Sequence, residues 1–127
     1  MEQIKLTGGE WSVLDCLWAE SPQTVMQLVS RLGERVGWAK STTITTLRRM
    51  EDKGLVRCEQ AGRGKAYYPA VEREQAVVAE THSFLDRVYQ GSVGLMMSAM
   101  ARRQELGADE VAQLRAILDE IEGGSVQ

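Results

Sequence analysis

The spacing of apolar residues changes at Gly54, and that change limits the chain to a few folds. Before it, apolar side chains recur about every 3.6 residues in three successive segments; after it they alternate. The first period buries one side of a helix, the second one side of a strand. Thr7-Gly8-Gly9-Glu10 has the spacing in which Thr7 caps a helix and Glu10 reaches back to it. Leu6 and Trp11 flank that cap as a hydrophobic staple. Trp11, Leu14, Leu17 and Trp18 follow on one face, and Ser21-Pro22 ends the helix. A second helix starts at Thr24, with Gln27 three residues on. It carries Val25, Leu28, Val29, Leu32 and Val36 on one side and stops at Gly37. The third covers about Ser41 to Lys53 and closes at Gly54, where a left-handed residue ends the last turn.

Leu55 to Ala61 and Lys65 to Pro69 then read as strands, with Val56 and Cys58 alternating against Arg57 and Glu59. Gly62-Arg63-Gly64 between them suits a tight turn that needs positive φ. Three helices and a hairpin are the element order of a winged helix-turn-helix. The predicted class is mainly α with a small β-hairpin: a winged-helix head over 1–70 and a C-terminal helical region over 71–127.

From Glu72 the helical period returns. Val77, Phe84, Leu85 and Val88 lie near one side of a helix that Gly91 breaks. A short apolar helix covers Val93 to Arg103, and a last one, about Ala108 to Glu122, sets Val111, Leu114, Leu118 and Ile121 at a/d spacing. Gly123 to Gln127 reads as a frayed tail. A head of roughly 70 residues cannot cover these faces, so they are expected to bury one another across a two-fold axis. The expected pairing residues are Phe84, Leu85, Val88, Leu95, Met96, Val111, Leu114, Leu118 and Ile121.

The net charge of -3, from 15 Lys plus Arg against 18 Asp plus Glu, argues at face value against nucleic acid. Its distribution argues otherwise. Residues 31–65 hold nine bases and four acids, whereas the segments before and after them are acidic. A basic centre of +5 coincides with the third helix and the hairpin.

On a helical wheel Ile44, Leu47 and Met50 share one side of the third helix. Thr42, Thr45, Thr46 and Arg49 share the other, and Thr43 adds a further hydroxyl. Threonine is a mediocre helix former, so an exposed face built for stability would carry Glu, Lys or Ala instead. Short hydroxyl side chains permit close approach, bond phosphates and bases, and offer a methyl to thymine. Arg49 can fork onto guanine or a phosphate, while Ser41 and the free helix N-terminus can hold a phosphate. At the hairpin tip Arg63 and Lys65 would touch the DNA backbone or minor groove, with Tyr67 or Tyr68 packing the hairpin base. Lys40, Ser41, Thr42, Thr43, Thr45, Thr46, Arg49, Arg63 and Lys65 form the predicted double-stranded DNA contact set.

Other functions find little support. No phosphate loop, metal-spacing motif or paired-carboxylate constellation appears, so no catalytic residue, metal or cofactor is assigned. His82, the only histidine, reads as a surface or interface residue, and Cys16 and Cys58 read as structural thiols rather than a nucleophilic pair. Two cysteines make no disulfide framework and the polar start fits no signal peptide, so a cytoplasmic protein without membrane insertion is expected. The open alternative is the same fold answering a small molecule or the oxidation of Cys58. A winged helix used only for protein contacts would not need the Thr/Arg stripe.

An ordered series of residues resembles one known family. It comprises Leu6-Thr7-x-x-Glu10-Trp11-x-Val13-Leu14-x-x-Leu17-Trp18, Pro22-x-Thr24, Trp38-x-x-Ser41-Thr42 and Thr45-Thr46-Leu47-x-Arg49-Met50. Lys53-Gly54-Leu55, Gly62-Arg63, Tyr68-Pro69, Phe84-Leu85 and Gly91-Ser92 continue it. The series is similar to the BlaI/MecI-type penicillinase repressors, a family that also holds copper-transport repressors. The resemblance implies a dimeric winged-helix repressor on an inverted-repeat operator, with the major-groove helix at Lys40 to Arg49 and the wing at Gly62 to Lys65. It also implies an intertwined dimerisation region from Glu72 onward. Several relatives are inactivated when a membrane sensor-protease signals cleavage in the short helix, and by position the matching bond falls near Ala99-Met100. The copper-responsive branch carries cysteines near its C-terminus; this chain has none after Cys58, which argues against metal sensing.

Overall fold

In the computed structural model, which describes residues 4–103 and 106–124, helix α1 (Gly8–Ala19) begins at the predicted capping box. The Glu10 amide donates to Thr7 Oγ1 at 3.1 Å and the Thr7 amide to Glu10 Oε1 at 2.9 Å. Helix α2 (Val25–Val36) repeats the device through Thr24 and Gln27. Helix α3 (Lys40–Lys53) begins at Ala39 with no side-chain cap. Gly37 and Gly54, at φ 73° and 79°, end α2 and α3 as expected.

One element went unpredicted. Strand β1 (Gln23–Thr24) pairs antiparallel with β3 (Gly64–Pro69), which also pairs with β2 (Val56–Ala61), giving the order β1-β3-β2. Two residues are too few to show alternation, and the buried one is polar. Gln23 Nε2 donates to the Cys16 and Glu20 carbonyls at 2.8 and 2.7 Å, closing the end of α1 from inside the fold. The β2–β3 register ends at Ala61 opposite Gly64, leaving a two-residue loop, Gly62-Arg63. Gly62 takes positive φ, at 61°, whereas Gly64, the second glycine of the expected turn, joins β3 and does not. Glycine at the first central position is the type II′ pattern, which matches the twist of the strands.

The core joins Val13, Leu14, Cys16 and Leu17 of α1, Leu28 and Leu32 of α2, Leu47 and Met50 of α3, and Leu55, Val56 and Tyr67. The buried side of α1 is therefore turned from the predicted one. Trp11 and Trp18 stand edge-to-face at its margin, ring centroids 5.4 Å apart. A margin suits Trp18, whose indole N–H donates to the Val71 carbonyl at 3.0 Å. Val36, at the far end of α2, is exposed instead of packed.

Helix α4 (Arg73–Tyr89) is followed by two left-handed residues, Gln90 and Gly91, and then by α5 (Val93–Arg102) and α6 (Ala108–Glu122). The chain divides into two compact units within α4, between Ser83 and Phe84. Ser92 caps α5, accepting from the Leu95 amide, whereas Gly107 precedes α6 with no side-chain cap. Neither α5 nor α6 contains a buried residue. Of the expected tail, 125–127 lies outside the described residues.

Candidate nucleic-acid interface

Packing decides which side of α3 is free. Thr43, Leu47 and Met50 point into the core. Thr43 is 0% exposed and its Oγ1 has no hydrogen-bond partner, so it leaves the predicted DNA-contact set. Residues 43, 47 and 50 are spaced i, i+4, i+7, and a threonine methyl is small enough to fill the inner position. Ile44, expected on the core side, is only half-buried.

The other predicted residues of the helix stay at the surface. Lys40, Ser41, Thr42, Thr45 and Arg49 are exposed and Thr46 is half-buried. Ser41, Thr42, Thr45, Thr46 and Arg49 line one open, shallow depression. The Thr46 hydroxyl donates to the Thr42 carbonyl at 2.7 Å, so its lone pairs and methyl remain for other contacts. At the start of the helix the Thr42 and Thr43 amides both turn back to the Ala39 carbonyl. No side chain caps this end, which leaves it open to an anion.

Ion pairing sorts the basic segment. Arg31 pairs with Glu20, Arg35 with Asp15 at 3.5 Å, Lys53 with Glu10 at 2.7 Å and Arg57 with Glu59. Lys40, Arg48, Arg49, Arg63 and Lys65 enter no ion pair among the described residues. These five cations belong to α3 or the wing. Arg48 was missed as a site candidate, although its charge and its place beside Arg49 were in plain view; it is exposed on α3.

At the wing, Arg63 and Lys65 are exposed at and beside the loop. Tyr67 belongs to the core; burial, and then the Cys58 thiol across the strand pair, push its phenol up to about 12. Tyr68 instead carries the Arg57 guanidinium 4.3 Å over its ring, holding the outer side of the hairpin. Cys16 is buried and Cys58 half-buried. Glu10 is almost wholly buried. Burial pushes its carboxyl up, but the Lys53 ammonium and the Thr7 amide outweigh that and hold it below its ordinary value.

Among the predicted pairing residues, Phe84, Val88, Leu95, Leu118 and Ile121 are exposed, and Leu85, Met96, Val111 and Leu114 are half-buried. Val93 and Ile117 are also exposed and were not among the predicted pairing residues. Ala99 and Met100 lie inside α5, half-buried. No group of three or more potential metal ligands occurs among the described residues, and none of their helices is long and apolar enough to cross a membrane.

A three-helix head with a three-stranded sheet, exposing hydroxyls and unpaired cations along its third helix, defines a winged helix-turn-helix protein. More narrowly, the chain belongs to the penicillinase repressor family, which it matches over residues 6–120. The family consists of transcriptional repressors, not enzymes. The chain is 26% identical over 116 residues to the penicillinase repressor of Bacillus licheniformis, spanning 91% of each chain. It is 22% identical over 115 residues to the methicillin resistance regulatory protein MecI of Staphylococcus aureus strain N315, covering 91% of this chain and 94% of that one. Among solved structures it is similar to the DNA-binding domain of the repressor BlaI, with a TM-score of 0.52 and 24% identity. That likeness covers 59% of this chain and 93% of BlaI's domain. The monomeric Bacillus licheniformis BlaI in complex with the blaP half-operator gives a TM-score of 0.53 and 22% identity, over 58% and 90%. At these identities the structural likeness speaks for the fold.

Proposed function

We propose that this chain is a homodimeric repressor that binds an inverted-repeat operator, laying α3 in the major groove and the wing tip on the backbone. The observation that carries the reading is the shared open surface of Ser41, Thr42, Thr45, Thr46 and Arg49, on a helix that with the wing carries five cations in no ion pair among the described residues. Hydroxyls and an unpaired Arg on one helical face suit base edges and phosphates together. The BlaI structure with a half-operator supports DNA as the partner.

Pairing rests on residues 71–127, read as the dimerisation region. The exposed apolar side chains of α4, α5 and α6 have the chemistry of a surface that a second copy would cover. Two heads then read two half-sites, set about one helical turn apart or a multiple of it. Relief by a membrane-linked protease would fall at Ala99-Met100; a protease takes extended backbone, so α5 must first unwind there. Loss of α6 would remove its heptads from the pairing surface.

Selection from a random duplex pool tests the reading. The chain should enrich a two-fold symmetric site, and footprinting should protect both halves. Enrichment of a single asymmetric half, or of nothing, would contradict it.

A further inference from the structure

Two adjacent residues in the first turn of α1 each grip the chain at one end of α3. At one end lies Trp38, two residues before the helix. A Cβ built on Gly9 would meet Trp38 Cζ2 at 3.2 Å and Cη2 at 3.4 Å, so the indole ring occupies the space a side chain would need. A Cβ on neighbouring Gly8 would meet nothing within 4 Å. The Trp38 amide donates to the Leu32 carbonyl at 3.3 Å, fixing the ring's backbone to the end of α2. Ala39 supplies no side-chain cap, so this packing and the buried Thr43 hold the first turn of α3. At the other end Lys53, the last residue of α3, donates to Glu10 Oε2 at 2.7 Å, while Glu10 Oε1 accepts from the Thr7 amide. Glu10 is buried and held from both sides, so the lysine meets a fixed acceptor.

We propose that the first turn of α1 is a two-point clamp that sets how α3 lies in the groove, making Gly9, Trp38, Glu10 and Lys53 positioning residues for sequence reading. The inference rests on the proposed role of α3. Direct recognition needs several side chains to meet base edges at once, whereas backbone attraction tolerates small shifts. A loosened clamp therefore lowers specific binding and leaves nonspecific binding intact.

The test uses the full chain, the duplex it enriches from a random pool, and an unselected random duplex. Gly9→Val should cut affinity for the enriched duplex about tenfold, within the range of one base-pair contact. Affinity for the random duplex should stay unchanged, and Gly8→Val should alter neither. Lys53→Met should repeat the Gly9 result with an unaltered salt slope, because a residue touching no phosphate releases no counterion; Lys53→Arg should keep wild-type preference. If Gly9→Val melts below the assay temperature, Gly9→Ala and Trp38→Phe report the same ratio in the folded protein. Equal loss on both duplexes, no loss on either, or a shallower salt slope for Lys53→Met would overturn the clamp. Failure of the reading itself looks different: no duplex is enriched, or Arg49→Ala leaves specific affinity untouched, and the clamp falls with it.

Discussion

The unit ending at Ser83 and the unit beginning at Phe84 treat apolar surface in opposite ways. In the first, Leu14, Leu17, Leu28, Leu32, Leu47 and Met50 are all but fully closed off. In the second, α5 and α6 bury nothing, and Leu118 stands 57% exposed and Ile121 50%. The second unit is not poorer in apolar residues, with 21 of 44 against 34 of 83; what differs is whether the elements cover one another. The first unit finishes its own core and spends its surface on cations and hydroxyls. The second presents heptad positions that one copy leaves open, which fits a part completed by a second copy.

Breaking the second unit should produce the largest effect. Leu114→Asp with Leu118→Asp places charges in the proposed seam, and light scattering should find monomers. Affinity for a two-half-site operator should then fall roughly a hundred- to ten-thousand-fold, as the second head loses its tether. Next comes the first unit. Leu14→Ala opens its core and should lower unfolding free energy by about 2–5 kcal/mol in denaturant titration. The loss should not depend on protein concentration, whereas the stability of the C-terminal unit should.

Smaller effects sharpen the surface of the first unit. Arg63→Ala or Lys65→Ala should weaken specific and random duplexes alike and lower the salt slope by about one each. Thr7→Ala should destabilise by about 1 kcal/mol through the lost cap. Glu10 adds a pH signature. Its folded carboxyl titrates below its ordinary value, so it contributes stability above that value, and the contribution is lost as pH falls through the folded one. Acid unfolding of Glu10→Gln should lack that component.

What was legible in the sequence is what local chemistry determines. The two capping boxes, the stops at Gly37 and Gly54 and the wing turn depend on residues within a turn of each other, and all fall where expected except that Gly64 joins β3. Choices between faces were less legible, because distant packing makes them. Thr43 reads as part of a hydroxyl cluster until the fold buries it, and Trp11 and Trp18 read as core until Val13 and Cys16 take the buried side of α1. Strand β1 exists only because β3 lies beside it. Charge had the same limit. A count of nine bases could not separate Arg31, Arg35, Lys53 and Arg57, which meet carboxylates, from the five cations left for a partner.

The central claim is that the outward side of α3 reads base pairs. The most direct test is the ratio of specific to random-duplex affinity for Arg49→Ala against wild type at one fixed salt concentration. The account predicts a loss of about 1–3 kcal/mol confined to the specific duplex, with relaxed preference at one position of each half-site. An unchanged ratio, with the protein folded and paired, would contradict it.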